Sequence, residues 1–182
     1  MSTDTTFAIV LAAGKGKRMR SEVSKVLHPL AGRSMLAHVM ETVAAISPSE
    51  AVVVAGPEMD ALSAELSDHP LSPMVTVQQE RLGTGHAVLT ALETTLRAGS
   101  EPGTVLILYG DTPLLRVETL LGLLDARNSK VNHGVAVLGF RSSTPGEYGR
   151  LMLEDDGNIK EIVEAKDASP DQLDMNLCNS GV

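Results

Sequence analysis

Five apolar runs of strand length, separated by amphipathic segments of helix length, constrain this chain more than any other feature. The runs are residues 7–12 (FAIVLA), 51–55 (AVVVA), 74–78 (MVTVQ), 105–109 (VLILY) and 135–140 (VAVLGF). Their near-continuous apolar character is that of parallel strands covered on both faces. Helices are expected over 35–46, 59–66, 85–96 and 117–127. Ser34 is the expected N-cap of the first, with Met35, Val39 and Val43 on its buried stripe. This βαβα order implies an α/β fold, a Rossmann-like three-layer α/β/α sandwich on a mostly parallel sheet.

The pattern changes after residue 140. Segments 149–153 and 159–164 flank the turn cluster Asp155-Asp156-Gly157-Asn158, which predicts a β-hairpin insertion near the C-terminus. A polar stretch covers 165–174, and an apolar tip over 177–182 reads as a strand that begins as the sequence stops. The expectation is a single, incomplete domain over residues 1–182.

Composition narrows the function. A net charge of −8 argues against a nucleic-acid partner, because counterion release needs a basic face. With 2% aromatics and no Trp, the core must be aliphatic, and Met35, Met40 and Met59 read as filling within it. The lone cysteine, Cys178, leaves no disulfide framework and no cysteine cluster for zinc, and it reads as a small buried hydrophobe. No apolar run approaches membrane-spanning length, and the first residues lack a basic n-region. A cytoplasmic protein without a membrane partner is expected.

The strongest local feature follows the first strand. In Leu11-Ala12-Ala13-Gly14-Lys15-Gly16-Lys17-Arg18-Met19 small residues leave the backbone uncrowded, so its N–H groups can converge on phosphate oxygens. Lys15, Lys17 and Arg18 cluster there and Lys25 follows, a local anion trap in an acidic chain. Leu11 stands where a Walker loop needs its first glycine, and Arg18 where it needs Ser or Thr. Met19 stands where the dinucleotide fingerprint needs its third glycine. A G-x-G-K turn alone is more often a solvated surface loop, so the later segments carry the weight.

From Leu11 onward the chain resembles the nucleoside-triphosphate transferase superfamily, marked by L-A-(A/G)-G-x-G-x-R-M and a following lysine. Lys25-Val26-Leu27-His28-Pro29-Leu30-Ala31-Gly32, Leu82-Gly83-Thr84-Gly85-His86-Ala87, Tyr109-Gly110-Asp111-Thr112-Pro113-Leu114, Tyr148-Gly149-Arg150, Ile162-Val163-Glu164-Ala165-Lys166-Asp167-Ala168 and Asn179-Ser180-Gly181-Val182 come in that order. Together they resemble the uridyltransferase domain of the bifunctional N-acetylglucosamine-1-phosphate uridyltransferase/glucosamine-1-phosphate acetyltransferases. The resemblance implies uridylyl transfer from UTP to N-acetylglucosamine 1-phosphate with Mg²⁺, serving peptidoglycan and lipopolysaccharide precursor synthesis.

It also implies residue roles. Leu11, Ala12, Ala13 and Gly14 would hold the nucleotide, with Arg18 and Lys25 on the phosphates as catalytic cations. Gln78 and Gly83 would read the uracil, with Thr84 beside them. Tyr109, Gly149, Glu164 and Asn179 would contact the sugar, and Asp111 would bind the metal. Lys17 replaces the family's usual threonine, and Ser24 its usual proline. Full-length relatives add a second metal-binding asparagine and a left-handed β-helix through which they form trimers, so a C-terminal truncation is expected here.

Each residue has a plainer reading beside this one. Asp111 before Pro113 could be a turn residue, Glu164 and Lys166 an exposed strand-end pair, and Asn179 a turn former. His28 and His86 read as structural, since neither has metal-ligand partners nearby in sequence. Three functional alternatives stay open: a related transferase for another sugar, a cytidylyl- or molybdopterin-type enzyme sharing the loop, or a nucleotide-binding chain without catalysis.

Overall fold

A computed structural model describes residues 5–14, 16, 19, 21, 23–57, 59–99, 103–129 and 134–182. Lys15, Lys17 and Arg18, which carry part of the expected anion trap, lie outside the described residues. The chain divides into two compact units, Met1–Gly122 and Leu123–Val182.

The first unit is built on four parallel strands: β1 (Thr6–Leu11), β4 (Glu50–Ala55), β5 (Met74–Val77) and β6 (Thr104–Tyr109). A short hairpin, β2 (Pro29–Leu30) and β3 (Arg33–Ser34), precedes helix α1 (Met35–Ala45). Helices α2 (Asp60–Leu66) and α3 (Thr84–Arg97) connect the later strands, and α4 is Val117–Asn128. The strand order is β5-β4-β1-β6. After β1 the chain adds β4 and then β5 on one side, and α3 carries it back to place β6 on the other side of β1. The order therefore reverses between β1 and β6, at the topological switch point where open α/β sheets bind ligands outside their carboxyl ends.

Burial accounts for the apolar runs. Ile9, Leu11, Val52 and Val54 pack with Ala87 and Ala91 of α3 on one face, while the alternate residues Ala8, Val10 and Val53 are fully buried as well. Both faces are covered, which an alternating sequence could not satisfy. Ser34 caps α1 by accepting from Ala37 N at 2.9 Å, an interaction typically worth about 1 kcal/mol. The buried stripe of α1 is Leu36, Val39, Met40 and Val43. Met35 is one position off it and only half-buried, as is Met59, so of the three expected core methionines Met40 alone is fully enclosed.

In the second unit β7 (Gly139–Arg141), β8 (Arg150–Leu153), β9 (Ile159–Val163) and β10 (Leu177–Asn179) form an antiparallel sheet in the order β7-β10-β8-β9. The expected hairpin is β8–β9, and Asn158 N donates to Asp156 Oδ1 at 2.9 Å in its turn. One expectation needs correction. The run 135–140 is strand only from Gly139 onward, and it belongs to this antiparallel sheet rather than to the parallel one. The polar stretch 165–174 holds a helical turn, α5 (Pro170–Leu173), with a capping box between Ser169 and Gln172. The apolar tip is an interior strand: Cys178, fully buried, pairs with Phe140 on one side and Arg150 on the other.

Candidate functional site

The parallel sheet of the first unit places the carboxyl ends of its four strands along one edge, and the expected nucleotide-binding residues gather there. Leu11 and Tyr109 are direct neighbours, and the Gly110 N–H donates to the Leu11 carbonyl at 2.9 Å. A side chain at Gly110 would meet Val26 and Leu36 at 3.2 and 3.4 Å, so the turn from β6 into Asp111 packs closely on the segment carrying Lys25. Lys25 opens a 3₁₀ turn, Lys25–Leu27, and its ammonium is ion-paired with Asp111 Oδ2.

The glycine loop closes over the same lysine. Gly16 is in the left-handed region at φ +58°, and a Cβ there would fall 2.6 Å from the Lys25 Cβ. Gly14, by contrast, is exposed, and among the described residues no atom lies within 4 Å of its missing Cβ. Across the loop Arg81 Nε donates to the Ala13 carbonyl at 3.0 Å. Gly56, at the end of β4, makes room for that guanidinium: a Cβ there would sit 2.5 Å from Arg81 Nη2.

The Lys25–Asp111 pair contributes little to stability. The two side chains are 41% and 28% exposed, and pairs at that level of exposure are worth about 0–1 kcal/mol. Its position carries the information. A cation and a carboxylate meet at the mouth of the crevice between β1 and β6, beneath a loop whose backbone cannot tolerate a side chain at Gly16.

Gln78 and Gly83, the expected base-reading pair, stand together at the end of β5 and the start of α3. The Gln78 backbone N–H donates to the Ala55 carbonyl at 2.9 Å, and its side-chain Nε2 donates to the Gly83 carbonyl at 3.0 Å. Gly83 occupies the N-cap of α3 at φ +102°, a conformation that L side chains avoid, and Thr84 begins the helix exposed. Tyr109 is half-buried at the end of β6 and packs against the core cluster around Ile9 and Val52.

Three of the four expected sugar contacts converge within the second unit. Asn179 N donates to the Gly149 carbonyl at 2.8 Å. A Cβ on Gly149 would lie 3.5 Å from Glu164 Oε1 and 3.7 Å from the Asn179 Cβ. Arg150, 2% exposed, organises this corner from beneath. It donates to the Tyr148, Gly146 and Leu173 carbonyls, the last two at 3.3 and 3.2 Å. Neither Arg150 nor Arg81 was singled out for these tasks by the sequence, since both act on backbone carbonyls and such pairings leave no side-chain partner to search for. Among the described residues no group of three or more His, Cys, Asp or Glu could hold a metal ion, and no helix is long and apolar enough to cross a membrane.

A doubly wound α/β sheet with a glycine loop, a lysine and a carboxylate at its switch point defines a nucleotide-binding domain. More particularly, the chain belongs to the MobA-like NTP transferase domain family, whose profile matches residues 8–155. It is 47% identical over 182 residues to the "Bifunctional protein GlmU" of Paramagnetospirillum magneticum, covering 100% of this chain and 39% of that relative. It is 49% identical over 177 residues to the protein of the same name from Rhodospirillum rubrum, covering 97% of this chain and 38% of that one. The chain thus spans well under half the length of these curated relatives. In architecture it is similar to UDP-glucose pyrophosphorylase complexed with UDP-glucose (TM-score 0.70, 17% identity, 97% of this chain and 74% of that chain).

Proposed function

We propose that this chain carries the uridylyltransferase part of a bifunctional enzyme of the GlmU type, joining UTP to N-acetylglucosamine 1-phosphate and releasing pyrophosphate. The observation that carries the reading is the meeting of the Gly16 turn, Lys25 and Asp111 at the β1/β6 switch point. The identity to GlmU proteins along the whole chain supports the substrate assignment.

In this reading the Ala12 N–H stays bound to the Val54 carbonyl, the backbone N–H groups of Ala13 and Gly14 face the triphosphate, and Arg81 fixes that loop through the Ala13 carbonyl. Lys25 leaves Asp111 for the phosphates and neutralises charge as it builds up. A phosphate oxygen of the sugar 1-phosphate forms the new bond to the α-phosphorus of UTP. The bond from the α-phosphorus to its bridging oxygen breaks, and the electron pair departs with pyrophosphate. Positioning and electrostatic stabilisation supply most of the acceleration, without a covalent enzyme intermediate. Gly149, Glu164 and Asn179 form the sugar-binding group of the second unit in this assignment, and Tyr109 is assigned to the sugar on the sequence resemblance alone. Arg18, outside the described residues, is assigned to the phosphates on its sequence position alone.

The donor set at Asp111 suits a hard divalent cation. Its Oδ1 accepts from no described residue, and Mg²⁺ needs only one or two carboxylates beside waters and substrate phosphates. When bound there, the ion would screen the phosphate charge and help orient the reacting groups.

Calorimetry with UTP, CTP and GTP, together with pyrophosphate release from UTP and N-acetylglucosamine 1-phosphate by the chain extended to its relatives' length, tests the proposal. UTP preference and sugar-dependent pyrophosphate release are expected. A preference for CTP or GTP would move the chain to another branch of the family, and a lack of nucleotide binding would remove the assignment.

A further inference from the structure

Gln78 is an unusual side chain for its place. It is 3% exposed, so both ends of its amide should be accounted for. Its Nε2 lies 3.0 Å from the Gly83 carbonyl oxygen and 3.0 Å from His86 Nδ1. A carbonyl can only accept, so the atom facing Gly83 is the nitrogen, and the amide orientation follows without reference to the histidine. The same nitrogen has one further hydrogen to give. His86 Nδ1 therefore acts as acceptor, and this imidazole carries its proton on Nε2.

Both amide hydrogens are thereby committed. Oε1 accepts from no described residue and is not among the fully enclosed polar atoms without partners. The amide, otherwise a group that can both donate and accept, presents a free acceptor only.

We propose that His86 is a positioning residue for base selection, holding Gln78 so that only its carbonyl oxygen meets the base. This rests on the base-site reading of Gln78 and Gly83 given above. A ring N–H, such as N3–H of uracil, satisfies that oxygen. The unprotonated N3 of cytosine places a lone pair against it and leaves two acceptors facing each other. Selectivity of this kind comes from the penalty on the wrong partner as much as from the bond to the right one. Without the His86 acceptor only the Gly83 bond holds the amide, so turning its nitrogen toward cytosine N3 costs one hydrogen bond rather than two.

The test is the ratio of Kd for CTP to Kd for UTP, measured by calorimetry on the unaltered chain and on His86→Leu, His86→Asn and Gln78→Leu. His86→Leu should lower the ratio at least about fivefold, the worth of roughly one hydrogen bond. His86→Asn can place its Oδ1 near the position of Nδ1 and should keep the ratio within about twofold of the unaltered value. A role confined to stabilising the start of α3 would weaken both nucleotides together and leave the ratio unmoved. An unchanged ratio in His86→Leu, or an equal fall in His86→Asn, overturns the proposal while leaving the base site in place. Absence of UTP preference in the unaltered chain, or its persistence in Gln78→Leu, overturns the base-site reading and this proposal with it.

Discussion

Replacing Gly16 by Ala puts the loop geometry to a quantitative trial. At φ +58° an alanine carries a left-handed backbone penalty of about 1–2 kcal/mol. Its methyl would also stand 2.6 Å from the Lys25 Cβ, closer than real Cβ contacts allow, and the obstacle is the root of that side chain rather than its flexible tip. Relieving such an overlap costs about 1–3 kcal/mol more. The combined cost, about 2–5 kcal/mol, is met in one of two ways. Either the fold is destabilised, or the loop lifts and Lys25 loses its station beside Asp111. Gly14→Ala is the control for stability, since its methyl meets no atom of the described residues within 4 Å and should change stability by about 0.5 kcal/mol or less. Thermal unfolding and UTP calorimetry on both variants read the two routes. A fall in Tm of about 4–20 °C is expected for Gly16→Ala and not for Gly14→Ala, unless the loop lifts instead and Gly16→Ala loses UTP affinity at an unchanged Tm. A Gly16→Ala chain as stable as Gly14→Ala and binding UTP as tightly as the unaltered chain would refute the claim that the loop is seated on Lys25.

Asp111→Asn, in the chain extended to its relatives' length, should cut pyrophosphate release by about 100-fold or more, an effect of the size seen when transition-state electrostatics are removed; an unchanged rate would take Asp111 out of the site. Arg150→Met removes the donors to three carbonyls around Gly149 and should destabilise the second unit by about 2–4 kcal/mol, read by urea unfolding. Arg150→Lys should not restore it, because one ammonium cannot reproduce the guanidinium fork. His69 supplies a pH dependence: burial first, then the nearby Arg33, lower its pKa from the ordinary 6.5, against a smaller opposing effect of Glu41. The folded state then binds fewer protons than the unfolded one, so stability is full above about pH 6.5 and declines as the pH falls below it. His69→Gln should flatten the urea midpoint between pH 7.5 and 5.5, and a slope as steep as before would assign that dependence to other groups.

The parallel sheet was readable because covering both faces leaves no polar alternation in β1 or β4, and a run such as AVVVA admits few other readings. The carboxyl edge follows from that order and puts Asp111 on the rim of the glycine loop, whereas Gln78 and Gly83 are assigned by the resemblance alone. The run 135–140 misled for the same reason: its composition matches a buried parallel strand, yet β7 begins only at Gly139. A Cβ at Gly139 would crowd Leu151 at 2.7 Å, a tertiary contact that local pattern does not encode. Likewise Arg81 gripping a carbonyl, and His86 completing the Gln78 amide, depend on distances between elements rather than on spacing along the chain. The sequence reads His86 as structural, and its observed partner, the Gln78 amide, is one that spacing along the chain does not reveal.

A crystal structure of the chain with UTP and Mg²⁺ would test the central claim most directly. The account predicts the triphosphate between the Ala13–Gly14 backbone and Lys25, with Lys25 drawn away from Asp111 and the cation against that carboxylate. A nucleotide bound away from the β1/β6 crevice, with the Lys25–Asp111 pair intact, would contradict it.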